Sequence, residues 1–228
     1  GYNALDAATS DAQDNIAIGT SAASALTYGL RNVAIGTGAL VAATSATDNV
    51  AIGAATLDSL TTGTDNIAIG TSAASALTIG SRNIAIGTNA LAAGTCTDDN
   101  VAIGYNALDA ATSDAQDNIA IGTSAASALT YGLRNVAIGT GALVAATSGT
   151  DNVAIGYAAL DTLTSGTYNI AIGTSAGSAI TSGAYNILIG GNAGAALTTG
   201  TDNIALGFGC LDSAAGATGN ICIGSSAG

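Results

Sequence analysis

The residues able to do chemistry are few and narrow in type. Among 228 residues there is no His, Lys, Glu or Met, all fifteen acidic residues are Asp, and the only basic side chains are Arg31, Arg82 and Arg134. General acid–base work would fall to Asp alone, and thiol or soft-metal chemistry to Cys96, Cys210 and Cys222. The three thiols show no metal-ligand spacing and cannot all pair with one another. Cys210 and Cys222 stand where neighbouring repeats carry Ala, so they read as small buried side chains rather than as disulfide partners. Gly190-Gly191-Asn192-Ala193-Gly194 looks like a phosphate loop, but no Gly-Lys-Ser/Thr follows it. Asp-Asn pairs offer oxygen ligands to Ca²⁺, yet they recur singly instead of gathering in one acidic loop. Asp and Ser fall in repeated columns, and an active site needs one place unlike the others. We therefore expect no catalytic residue, no cofactor-binding residue and no metal ligand, and a chain that is not an enzyme.

What spaces these residues is an internal repeat. Asn-[Ile/Val]-Ala-Ile-Gly and its close variants begin at Asn15, Asn32, Asn49, Asn66, Asn83, Asn100, Asn118, Asn135, Asn152, Asn169, Asn186, Asn203 and Asn220. Each step is 17 residues except Asn100 to Asn118, which is 18, and residues 1–53 recur almost verbatim at 104–156. With no linker and no shift of composition, residues 1–228 read as one continuous array of about thirteen repeats. The chain opens and closes inside a repeat, and reads as a segment of a longer protein.

With Asn as position 1, positions 2 and 4 are Ile, Val or Leu throughout, and position 3 is Ala except at Leu188 and Cys222. Alternation puts 2 and 4 on one face of a strand and 3 on the other. Both faces are apolar, one bulky and one small, which predicts a strand buried on both sides. A thin coil covers one face; the other calls for another chain. Position 5 is always Gly (Gly19, Gly36, Gly53, Gly70, Gly87, Gly104 and onward), which suits a corner with positive φ or close backbone approach. The invariant Asn tolerates a corner and forms ladders when stacked.

Positions 9 and 12 trade volume: Ala23 goes with Leu26 and Ala74 with Leu77, whereas Leu40 goes with Ala43 and Leu143 with Ala146. Residues three apart share a face on a helical turn, and Gly29, Gly63 and Gly80 at position 15 fall where a helix C-cap would. Strands stack about 4.8 Å apart, whereas packed helices need roughly 8–10 Å, so any helical element is short. The expected fold is a mainly β solenoid of stacked 17-residue coils, each a short parallel strand plus one helical or 3₁₀ turn. The alternative is an all-β trimeric β-roll. Position 17 forms a charge column: Asp14, Arg31, Asp48, then Asp65, Arg82, Asp99, then Asp117, Arg134, Asp151. Stacking places each Arg between two carboxylates that would otherwise repel.

Composition limits the partners. A net charge of −12 argues against nucleic acid and anionic membrane surfaces. No run of 18 apolar residues exists to span a bilayer, and no signal peptide is recognisable.

The motif Asn-[Ile/Val]-Ala-Ile-Gly-x-x-Ala, as in Asn15 to Ala22, resembles the head repeats of YadA-like trimeric autotransporter adhesins. The fuller unit from Asn152 to Gly166 resembles shaft repeats of phage tail fibres and related adhesive fibre proteins. The resemblance covers the whole chain; the 17-residue unit departs from the 14-residue coil usual in those adhesin heads and favours the tail-fibre group. It implies a parallel homotrimer, extracellular, cell-surface or virion-borne, acting as the stalk of an adhesive fibre. Its partners would be copies of itself, with a receptor or glycan engaged by regions outside this segment. Two other functions compete: a self-assembling extracellular filament, and a regular face binding ice or glycan through Thr columns at position 13 (Thr27, Thr44, Thr61, Thr78) and position 6 (Thr20, Thr37, Thr71, Thr88).

Overall fold

The computed structural model describes residues 1–228 apart from Cys96, Ser113 and Ala214. It divides into two compact units, Gly1–Gln116 and Asp117–Gly228, each a parallel β-solenoid. The first unit contains β1 (Ile16–Ile18), β2 (Val33–Ile35), β3 (Val50–Ile52), β4 (Ile67–Ile69), β5 (Ile84–Ile86) and β6 (Val101–Ile103). The second contains β7 (Ile119–Ile121), β8 (Val136–Ile138), β9 (Val153–Ile155), β10 (Ile170–Ile172), β11 (Ile187–Ile189), β12 (Ile204–Leu206) and β13 (Ile221–Ile223). Within each unit successive strands pair in parallel and in register, so that Val50 lies beside Ile67 and Ala51 beside Ala68, and Val136 beside Val153.

The boundary between the units falls just before Asn118, at the 18-residue step. Asn100 Nδ2 donates to Ala115 O, fifteen residues on, where its counterparts reach fourteen, so the added residue lies before Ala115. The amide of Ala115 donates to Thr112 O at 3.0 Å.

The coil Asn66–Arg82 shows how 17 residues close. β4 is followed by Gly70 at φ 132°, then by left-handed Ser72 (φ 55°) and Ala74 (φ 49°). Ala73 N–H donates to Gly70 O and Leu77 N–H to Ala74 O, making two successive four-residue turns. All other directions are set by neighbouring coils. The amides of Ile67, Ala74, Ala76 and Thr78 donate to Asn83, Ala90, Ala92 and Thr95 of the following coil, and those of Gly70, Ser72 and Arg82 to Ile52, Ala54 and Thr64 of the preceding one.

The expected helical or 3₁₀ turn is therefore absent: among the described residues there is no helix, and none is long and apolar enough to cross a membrane. A helix would turn successive amides inward along its own axis, whereas stacking at the strand repeat needs them aimed at the coils above and below. Placing positions 7 and 9 in the left-handed region flips the peptides to do this. Ala, Leu and Ser occupy that region at a cost of about 1 kcal/mol or more per residue, and the intercoil bonds hold them there.

The reciprocity between positions 9 and 12 survives this change, because residues spanning a β-turn also converge. Ala23 and Leu26, Leu40 and Ala43, and both members of Leu57/Leu60 are fully buried. Position 15 departs from a helix cap. Gly63 has no positive φ; a Cβ there would run into Gly80 O and Leu60 Cδ1. Close approach, not left-handed geometry, selects that glycine. One coil repacks: Leu188 replaces the usual Ala of position 3, and Gly177 and Gly194 make room for it. A Cβ on either glycine would come within 2.8 Å of a Leu188 methyl.

Candidate functional site

Among the described residues there is no pocket, and no cluster of His, Cys, Asp or Glu is arranged to hold a metal ion. What each unit presents instead is a set of columns, one residue per coil.

The first column is internal. Asn32 donates its backbone N–H and its Nδ2 to Asn15 Oδ1, at 2.9 and 3.0 Å, and a further Nδ2 bond of 2.7 Å crosses the coil to Ala46 O. Asn49, Asn66, Asn83 and Asn100 each take the preceding Asn Oδ1 in the same way, and in the second unit so do Asn135 and Asn152, beginning from Asn118. Each interior amide thus uses two donors and accepts twice, so a buried polar side chain is fully paired. The Gly column at position 5 (Gly19, Gly36, Gly53, Gly70, Gly87, Gly104) lies at the corner after each strand; Gly70 has φ 132°, and a Cβ there would sit 2.7 Å from the Gly87 carbonyl.

The charge column is external and directional. Arg31 forks onto Asp48 (Nε–Oδ1 2.6 Å, NH2–Oδ2 2.7 Å), Arg82 onto Asp99, and Arg134 onto Asp151. Each Arg chooses the carboxylate of the following coil; Asp14 and Asp65 reach Arg31, and Asp117 reaches Arg134, through longer-range attraction only. The fork holds the carboxyls of Asp48, Asp99 and Asp151 below their ordinary range and raises the guanidinium pKa values. In the second unit the column continues into Tyr168 and Tyr185, whose rings stack at 5.1 Å and 8°. Tyr168 adds a smaller share to the lowering of the Asp151 pKa, after Arg134.

The Thr column at position 13 is occupied with the fold itself: Thr27 Oγ1 donates to Thr44 O, Thr61 Oγ1 to Thr78 O and Thr147 Oγ1 to Thr164 O. At position 10, Asp58 and Asp161 bury one carboxylate oxygen without a partner. Desolvation pushes their pKa values up, as it does that of Asp109.

The remaining columns are apolar and face outward. In every strand after β1 the central residue, Ala in most coils, is buried, while the flanking Ile, Val or Leu side chains are half-buried or exposed. The small residue points inward because Asn and the Leu of positions 9 and 12 already fill the coil. The bulky pair is left on a smooth parallel sheet face, with Ile69 36% and Ile18 57% exposed. Sequence alternation marks two faces, and only the occupancy of the interior decides which of them is outside.

Comparison with known protein families, with curated proteins and with solved structures finds no match.

Proposed function

We propose that the chain is a structural stalk or shaft segment of an adhesive fibre, extracellular, on a cell surface or carried on a virion, in which three copies associate side by side through their outward Ile/Val faces. The observation that supports this most is the face itself. In the first unit, two bulky residues per strand over six strands lie in two unbroken columns. At on the order of 60 Å² left in water per side chain, they present about 700 Å², close to the ~800 Å² that one partner contributes to a standard interface. An isolated soluble protein seldom leaves so large an apolar patch uncovered. The second unit repeats the pattern on its own seven strands.

The number three and the fibre setting rest on the likeness of Asn152–Gly166 to fibre shaft repeats. The interior supports a load-bearing role, since each coil is tied to its neighbours by backbone bonds and the Asn ladder and can be multiplied without a new fold. Receptor or glycan recognition is assigned to regions outside this segment, and the segment has no catalytic role in this reading. Native mass spectrometry of the purified chain tests it: the expected species has three times the 21.4 kDa chain mass. A folded monomer at micromolar concentration would overturn it, and indefinite filaments would favour end-to-end assembly instead.

A further inference from the structure

The two described cysteines occupy interior positions that most other coils fill with Ala. Position 8 is Ala in every coil except for Thr56 and Cys210, and position 3 is Ala except for Leu188 and Cys222. Both thiols are free and buried, Cys210 with 0% and Cys222 with 8% of its surface exposed. They sit in successive coils, the first after β12 and the second within β13, and their surroundings overlap. The Cys222 thiol donates to Ala227 O at 2.7 Å, and the same oxygen accepts the amide of Leu211 at 2.9 Å. Leu211 is peptide-bonded to Cys210, so one carbonyl ties the Cys222 sulfur to the Cys210 peptide. Burial first, and then the neighbouring Cys222, push the pKa of the Cys210 thiol up.

We propose that Cys210 and Cys222 are a dithiol–disulfide pair that staples β13 to the coil begun by β12. The oxidant is a small-molecule disulfide such as oxidised glutathione. During local opening of the coil, the Cys222 thiol, the more exposed of the two, loses its proton and attacks one sulfur of that disulfide, expelling the other half as a thiolate. The Cys210 thiolate then attacks the Cys222 sulfur of the mixed disulfide, forms the Cys210–Cys222 bond and releases the second small thiolate. The protein loses two protons and two electrons; the small disulfide becomes two thiols.

The test uses the full chain in a Cys96→Ser background, Ser being the residue of Ser45, Ser148, Ser165 and Ser182 at the same repeat position. The folded protein is held with oxidised glutathione, then alkylated in denaturant and weighed. The expected product takes up no alkyl group and is about 2 Da lighter, and hydrogen exchange of the Ile221–Ile223 amides is slowed by reoxidation and restored by reductant. Cys210→Ala and Cys222→Ala each restore the residue of the repeat, so both should keep the far-ultraviolet spectrum of the parent; each should end with one alkylated or glutathionylated thiol. Two alkylated cysteines, an unresolved glutathione adduct or a disulfide between chains in the parent would each overturn the staple.

Discussion

Replacing Ile69 by Lys separates the folding of a coil from its association. Ile69 ends β4 with 36% of its surface in water, whereas Ala68, its neighbour in the same strand, is fully buried. In a single chain the Lys ammonium reaches solvent while its stem covers the sheet, so the cost to folding is a β-propensity difference of a few tenths of a kcal/mol. Association is another matter. About 60–70 Å² of apolar surface per copy, at ~25 cal/mol per Å², is worth roughly 1.5 kcal/mol, or about 5 kcal/mol over three copies. Ammonium groups desolvated near one another add to this loss. The association constant should therefore fall by at least about 10³-fold. Analytical ultracentrifugation across micromolar concentrations, read beside far-ultraviolet circular dichroism, gives both quantities. Ile69→Lys should leave the spectrum intact and the chain monomeric, while Ala68→Lys should abolish the folded spectrum. An Ile69→Lys chain that associates as tightly as the parent would refute the assignment of this face.

Other substitutions probe the columns one at a time. Asn83→Asp removes the Nδ2 donors to Asn66 Oδ1 and Thr97 O and buries a carboxylate beside that carbonyl; chemical denaturation should show a loss of about 3 kcal/mol or more, partly recovered at acidic pH where the carboxyl can donate once. Gly70→Ala meets both a φ of 132° and the Gly87 carbonyl, and should cost more than about 2 kcal/mol in the same assay. Asp161→Ser, the residue of Ser24 and Ser75 at this position, removes the unpartnered oxygen. The folded pKa of Asp161 is raised, so its ionisation opposes folding as pH rises above the ordinary carboxylate range. The variant should gain on the order of 0.5 kcal/mol at neutral pH, screened because the group is only half-buried, and the gain should vanish below that range.

The repeat length, the strand, the corner glycine and the shared volume of positions 9 and 12 are legible because each leaves a side-chain signature once per 17 residues. The turn was not. A spacing of three brings two side chains together in a β-turn as it does in a helix, and nothing in Leu40 or Ala74 announces a φ near 50°. That geometry is imposed by the coils above and below, so it is a property of the stack and not of local propensity. Position 17 is similar: Arg31, Asp48 and Tyr168 all take φ between 54° and 58°, a conformation none of them favours alone. The Arg–Asp alternation was visible, but not its one-sided pairing, which depends on where the left-handed backbone aims the side chain. Gly63 is conspicuous as a glycine but its spacing alone suggests a cap, because close approach to Gly80 and Leu60 exists only in the stacked coil.

The coil around Leu188 shows how far repetition tolerates exchange, and it can be tested as a cycle. Leu188 is fully buried where other strands carry a small residue, and Gly177 and Gly194 stand on either side where every other coil but the last carries Ala or Leu. Gly177→Ala alone would bring a methyl within 2.8 Å of Leu188 Cδ1 and 2.9 Å of Leu160 Cδ2, an overpacking worth roughly 1–3 kcal/mol. Leu188→Ala alone would leave a cavity costing about 2–5 kcal/mol. Together they recreate the Ala pair found at Ala74 and Ala85, and the clash of the first fills part of the void of the second. The double variant should therefore be more stable than the sum of the single losses by at least about 1 kcal/mol. Strict additivity in equilibrium denaturation would mean that positions 177 and 188 do not share one volume, and that Gly177 is there for backbone reasons alone.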